Sequence, residues 1–146
     1  MDDNNTVEPA VTIDQDRSDI DALIAAFYAA FDNRTAPPVG DRLRGMFATG
    51  ARVTRKSASG LDTWDVEAFI APRIAMLSDG SLTDFHEWET EASTELAGSI
   101  ASRFSEYSKA GMASGTPVRG SGRKFIQLVK AADRWRIVSV LWEDLA

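Results

Sequence analysis

The chain has no cysteine and a single histidine, His86. The first absence excludes disulfides, thiolate nucleophiles and zinc-thiolate sites together. The second leaves too few soft ligands for a transition-metal site, so neither a metal nor a cofactor is expected. Long apolar runs are also missing: none reaches the roughly 18 residues that a membrane helix needs. The opening residues, MDDNNTVEPA, lack the basic start and apolar centre of a secretion signal. These features predict a cytoplasmic protein with no membrane partner. Positive charge is scarce as well, with 16 Lys and Arg against 22 Asp and Glu and a net charge of -6. Nucleic-acid binding draws on clustered cations, so that class is disfavoured. One basic stretch, Arg42, Arg44, Arg52, Arg55 and Lys56, reads as a solvated edge.

What the chain does contain is enough for one core. Its 146 residues, 44% apolar and 26% charged, suit a single globular domain. Residues 1–16 are acidic and poor in large apolar side chains, which predicts a mobile N-terminal tail ahead of one domain over 17–146. Ile20, Leu23, Ile24, Phe27 and Phe31 then recur at three and four, giving a helix that starts at Ser18, with Ser18 and Asp21 as a capping box, and ends near Asn33. Asp41 opens a short second helix, and a strand over 51–56 closes in the turn at 57–60. Thr63 or Asp65 opens a third helix, in which Pro72 predicts a kink and Asp79-Gly80 the stop. Strands over 82–95, 99–109, 122–130 and 135–142 follow, the glycine-rich residues 110–121 reading as a flexible rim loop. Helices first and sheet afterwards indicate an α+β domain.

The last hairpin, GRKFIQLVKAADRWRIVSVLW from Gly122 to Trp142, carries the strongest pattern. Its second strand is apolar on both faces and must be covered twice. This ending, with Trp135-Arg136-Ile137 running to Trp142-Glu143, resembles the terminal hairpin of the nuclear transport factor 2-like superfamily, including its SnoaL-like and ketosteroid isomerase-like branches. Arg134 stands where those proteins usually have glycine before the Trp. The resemblance spans roughly 18–144. It implies a curved, cone-shaped antiparallel sheet, three N-terminal helices closing the concave face around a pocket, and a homodimer formed through the outer face. It implies no single activity, because the fold serves isomerases, dehydratases, cyclases and transport factors.

A turn centred on Ala97-Gly98 would pair Trp88 with Tyr107 and Ala92 with Arg103. One face then collects His86, Trp88, Arg103, Ser105, Tyr107 and Lys109, and this face is assigned to the pocket. A bulge would exchange the faces. In this arrangement His86, oriented by Asp84, is the candidate general base, and Tyr107 can donate to an oxyanion. Trp88, Arg103 and Tyr107, with Phe27 and Phe31 from the first helix, form the candidate binding surface for a small apolar or carboxylate- or carbonyl-bearing molecule. Equally, Arg103 suits a structural ion pair, and Trp88 and Tyr107 suit core packing. Three readings follow: a small-molecule-binding domain, a cofactor-free isomerase, dehydratase or cyclase, and a protein-interaction module working through the outer sheet face.

Overall fold

The computed structural model describes residues 10–145. Three helices, two ahead of the first strand and one between the second and third, cover a curved six-stranded sheet. Helix α1 spans Ala10–Ala29, α2 Gly40–Arg44 and α3 Val66–Ser78. The strands are β1 (Phe47–Ser57), β2 (Gly60–Asp65), β3 (Leu82–Ala97), β4 (Ile100–Ala113), β5 (Thr116–Ala131) and β6 (Arg134–Leu145). Their order across the sheet is β2-β1-β6-β5-β4-β3. Every neighbouring pair is antiparallel except β1 and β6, which run parallel. No helix among the described residues is long and apolar enough to cross a membrane.

Helix α1 forms because its apolar side chains share one face. Ile20, Ile24 and Phe27 of the helix, and Phe31 in the turn after it, are all buried, and each contributes about 1.5–3 kcal/mol. The helix begins eight residues earlier than its capping-box signal suggests, so residues 10–16 are helical and not part of a tail. Residues 1–9 of the expected tail lie outside the described residues. The physical reason for the early start is Asp16, which is buried and accepts hydrogen bonds from Trp135 Nε1 at 3.1 Å and Lys130 Nζ at 2.9 Å. A carboxylate that looks like part of an acidic, unstructured run is thus an anchor to the terminal hairpin. At the other end Asn33 ties three elements together. Its amide donates to the carbonyls of Leu77 and Leu82 at 2.9 and 2.7 Å, and its side-chain oxygen accepts from Phe85 N at 2.7 Å.

Asp65 caps α3, its carboxylate accepting from Ala68 N at 2.8 Å. The helix continues through Pro72 to Ser78, and Gly80, with φ of 90°, takes the left-handed position after it. Strand β2 lies where a turn and a helix start were expected. It is a short edge strand with mostly exposed side chains, so it carries little apolar pattern. The expected rim loop over 110–121 is instead the extended end of the β4–β5 hairpin, turning at Ser114-Gly115. Gly115 serves the turn, while Gly111 and Gly120 serve close packing. A Cβ on Gly111 would sit 2.9 Å from the Phe85 ring, and one on Gly120 would sit 2.9 Å from Lys109 Cε.

Candidate functional site

The β3–β4 pairing decides which side chains face the helices. Near the turn, Thr94 pairs with Arg103 and Ala92 with Ser105. A bulge between Glu89 and Glu91 then shifts the register, so that Glu89 pairs with Tyr107 and Glu87 with Lys109. One extra residue exchanges every side chain beyond it between the two faces. The expected face therefore splits. Arg103, Ser105, Tyr107 and Lys109 point inward, joined by Glu87 and Glu89. His86 and Trp88 pair with Ala110 and Ser108 and stand on the opposite face. There the two rings stack on each other, 4.5 Å apart with 18° between planes. His86 Nδ1 is buried with no hydrogen-bond partner among the described residues. Asp84 is exposed and occupies a left-handed conformation, φ 53°, within a second register shift between Thr83 and His86. The candidate base and its orienting carboxylate thus do not converge with Tyr107 and Arg103.

On the inner face a cavity of about 260 Å³ lies between α1, α3 and the sheet. Its apolar walls come from Phe27 of α1 and Phe31 in the turn after it, Phe69 and Leu77 of α3, Phe85 of β3 and Trp142 of β6. Phe27 and Phe31 were expected to bind ligand, and both line it. Of the charged lining only Lys109 was expected on the pocket face: Arg55, Arg73, Lys109 and Lys124 stand against Glu87 and Asp144, four cations to two carboxylates. Arg73 reaches in from α3, one turn after Phe69, and its guanidinium lies 4.2 Å from the Phe69 ring, 4.9 Å from Trp64 and 5.5 Å from Trp142. It donates to Phe69 O at 3.1 Å and forms no ion pair among the described residues. Burial, helped by Arg55, holds its pKa below the usual arginine value, although it stays charged at neutral pH. Arg55 donates to Asp62 at 3.0 Å, while its buried Nε has no partner among the described residues.

Lys124 sits on the floor. It shares the inward side of β5 with Ile126 and Leu128 and is only 6% exposed. Its ammonium lies 3.8 Å above the Tyr107 ring and 3.8 Å from Glu87 Oε1. Burial lowers its pKa, and the opposing pull of Glu87 and Asp144 does not restore it. Beside it, Tyr107, Gly122 and Asp144 occupy facing positions on β4, β5 and β6. The Tyr107 side chain crosses over Gly122, and its hydroxyl donates to Asp144 Oδ1. Only a residue without Cβ allows this, since a Cβ there would fall 2.2 Å from the Tyr107 oxygen. Burial and then the bond to Asp144 push the phenol's pKa far up, so Tyr107 remains protonated. Burial pushes Asp144 up less than Tyr107 and Lys109 pull it down, and its pKa falls below the ordinary carboxylate value.

Arg103 lies under α1 in a closed polar network. Its Nε and one terminal nitrogen donate to the two oxygens of Glu89 at 3.1 and 2.5 Å, and the other terminal nitrogen donates to Asp21 at 2.5 Å and Thr94 Oγ1 at 3.2 Å. Ser105 Oγ donates to Glu89 at 2.6 Å and lies 2.8 Å from the Tyr28 hydroxyl. All three guanidinium nitrogens have protein acceptors, the arrangement of a structural ion pair. Arg103 and Tyr107 face the helices but are sealed beneath side chains. The cavity's own polar groups were readable in part: Lys124 interrupts an alternation of buried residues on β5, and Arg73 follows Phe69 by four on α3.

The architecture is the nuclear transport factor 2-like, cystatin-like α+β fold. No protein-family model and no curated protein matches the chain. Solved structures share the fold at low identity. A nuclear transport factor 2-like superfamily protein from Salmonella enterica serovar Typhimurium superposes with a TM-score of 0.73 at 13% identity, covering 94% of both chains. A protein of the same type with a cystatin-like fold from Novosphingobium aromaticivorans gives 0.70 at 18% identity, covering 92% of this chain and 85% of that one. A suggested dehydratase of the nuclear transport factor 2-like family from Streptomyces avermitilis gives 0.71 at 12% identity, covering 92% and 99%.

Proposed function

We propose that this protein binds a small molecule in the inner cavity, one with an apolar body and an anionic or electron-rich head. The observation that carries the reading is a cavity walled by phenylalanine and tryptophan whose charged groups are mostly cations, in a chain of net charge -6. Arg73, which forms no ion pair among the described residues, has donors to spare for a ligand acceptor. The volume is just under the roughly 300–1,000 Å³ of sites for drug-sized ligands, which points to a smaller molecule. Trp142 lines the cavity and stacks on Trp64 at 5.8 Å, so occupancy should change tryptophan fluorescence. Titration with 2-naphthoate should quench it saturably. Arg73→Gln should weaken 2-naphthoate by about ten-fold or more, the loss of one charge-assisted hydrogen bond, while leaving the neutral 2-naphthalenemethanol nearly unaffected. No saturable binding of either compound at millimolar concentration would sink the proposal.

A second reading concerns the opposite face of the sheet. Phe104, Phe125 and Leu141 occupy facing positions on β4, β5 and β6, the two phenylalanine rings 5.3 Å apart. Phe125 is 50% and Leu141 47% exposed. An apolar row of this kind suits a second copy of the chain. Light scattering should then give twice the chain mass at micromolar concentration, and Phe125→Glu should return a monomer. A monomeric parent protein would dismiss this interface.

A further inference from the structure

We infer that Lys124 is a reactive amine, placed to condense with the carbonyl carbon of an aldehyde or ketone held in the inner cavity. This rests on the cavity reading and narrows it to carbonyl compounds. The geometry separates Lys124 from the other lysines. Lys56 donates to Ser57 O at 2.9 Å, Lys109 to Asp144 at 3.3 Å and Lys130 to Asp16 at 2.9 Å. Lys124 Nζ makes no hydrogen bond among the described residues, its nearest carboxylate being Glu87 at 3.8 Å. Lys124 lines the cavity from a buried strand position, and its ammonium lies 3.8, 5.4 and 5.5 Å from the ring centres of Tyr107, Tyr28 and Trp142.

A buried ammonium with no hydrogen-bond acceptor is costly, and the amine answers by giving up its proton more readily. The groups around it come from every side. Glu87 on β3 and Asp144 on β6 favour the charged form, while Lys109 on β4 and Arg73 on α3 oppose it. Asp144 is already engaged by the Tyr107 hydroxyl, so its charge is partly satisfied elsewhere. The neutral amine can add its lone pair to a carbonyl carbon, forming a carbon–nitrogen bond while the carbonyl oxygen takes up a proton. The nitrogen proton is then lost and the hydroxyl leaves as water, giving an imine. Glu87 is the nearest group able to carry these protons. Amine and carbonyl yield imine and water, with no oxidant or second substrate.

The test uses 2-naphthaldehyde with sodium cyanoborohydride at pH 7.5, which traps any imine as a secondary amine. Each trapped site gains the mass of the aldehyde less one oxygen. Peptide mapping should show Lys124 modified measurably faster than Lys56, since a lowered pKa raises the fraction of neutral amine. Lys124→Arg, which keeps the charge but cannot form an imine, should lose the fast site and leave the labelling of Lys56 unchanged, while quenching of the parent protein by 2-naphthalenemethanol reports on the cavity separately. Lys124 reacting no faster than Lys56 while that alcohol still quenches tryptophan would overturn the inference and leave the cavity reading intact. Failure of the alcohol to bind the parent protein, with no fast site, would overturn both.

Discussion

Glu89→Ala is expected to destabilise the fold by about 3 kcal/mol or more, read as a fall in Tm of roughly 6–12 °C in thermal unfolding followed by circular dichroism. The Arg103 side chain is 6% exposed and Glu89 21% exposed, so the substitution leaves a buried guanidinium facing vacated space. Asp21 and Thr94 still accept from it, which keeps the loss toward the lower end of the ~3–5 kcal/mol that breaking a buried pair costs. Ser105 loses its acceptor in the same step. Removing both charges is expected to hurt less than removing one. Glu89→Met with Arg103→Met should recover at least half of the lost Tm, because methionine fills similar volume without a desolvation penalty. If Glu89→Ala unfolds within 2 °C of the parent, the network under α1 is ornamental.

Gly122→Ala is the second large effect. The new methyl would sit 2.2 Å from the Tyr107 oxygen, 2.5 Å from its Cζ and 2.6 Å from the Glu143 carbonyl oxygen. Tyr107 would be driven out of its place over β5, and the backbone of β6 would have to shift. A loss of about 3 kcal/mol is expected, at the upper end for overpacking, because one of the three contacts is main chain and cannot rotate away. The cause can be isolated by a double-mutant cycle in urea. In a Tyr107→Leu background the cost of Gly122→Ala should drop by about 1 kcal/mol or more, the Glu143 contact accounting for the remainder. Equal costs in both backgrounds would show that the crossing of Tyr107 over Gly122 does not constrain this position.

These cases show why some of the molecule is legible in its sequence and some is not. Helix α1 declares itself because a 3.6-residue period repeats over several turns, and its three deepest apolar residues, Ile20, Ile24 and Phe27, were expected there. The α+β order and the terminal hairpin are equally plain. The β3–β4 sorting fails at one residue, Thr90, where the strand bulges between Glu89 and Glu91. Nothing local marks it: Glu87, Glu89 and Glu91 alternate with Trp88 and Thr90 as an ordinary exposed face would. From that single shift His86 and Trp88 leave the inner face and Glu87 and Glu89 enter it. The glycines at 111, 120 and 122 mislead for another reason. They look like a loop, yet each receives a side chain from the neighbouring strand, a long-range fact invisible along the chain. Asp16 was hidden by its acidic surroundings, its partner Trp135 lying 119 residues away.

The sheet order carries a consequence for how the chain is made. Strand β6 is the last of the six strands to be synthesised yet sits in the interior of the sheet, between β1 and β5. Until it emerges, the nascent chain holds two separate half-sheets, β1 with β2 and β3 with β4 and β5, each with an open edge. Asp16 waits as well, since both Lys130 and Trp135 lie at the far end of the chain. Closure by the dozen residues of β6 joins sequence-distant partners, which is the slow kind of folding step. A ribosome that stops before Trp135 therefore releases a chain with two unpaired edges, a substrate for chaperones and aggregation more than a shorter version of the protein.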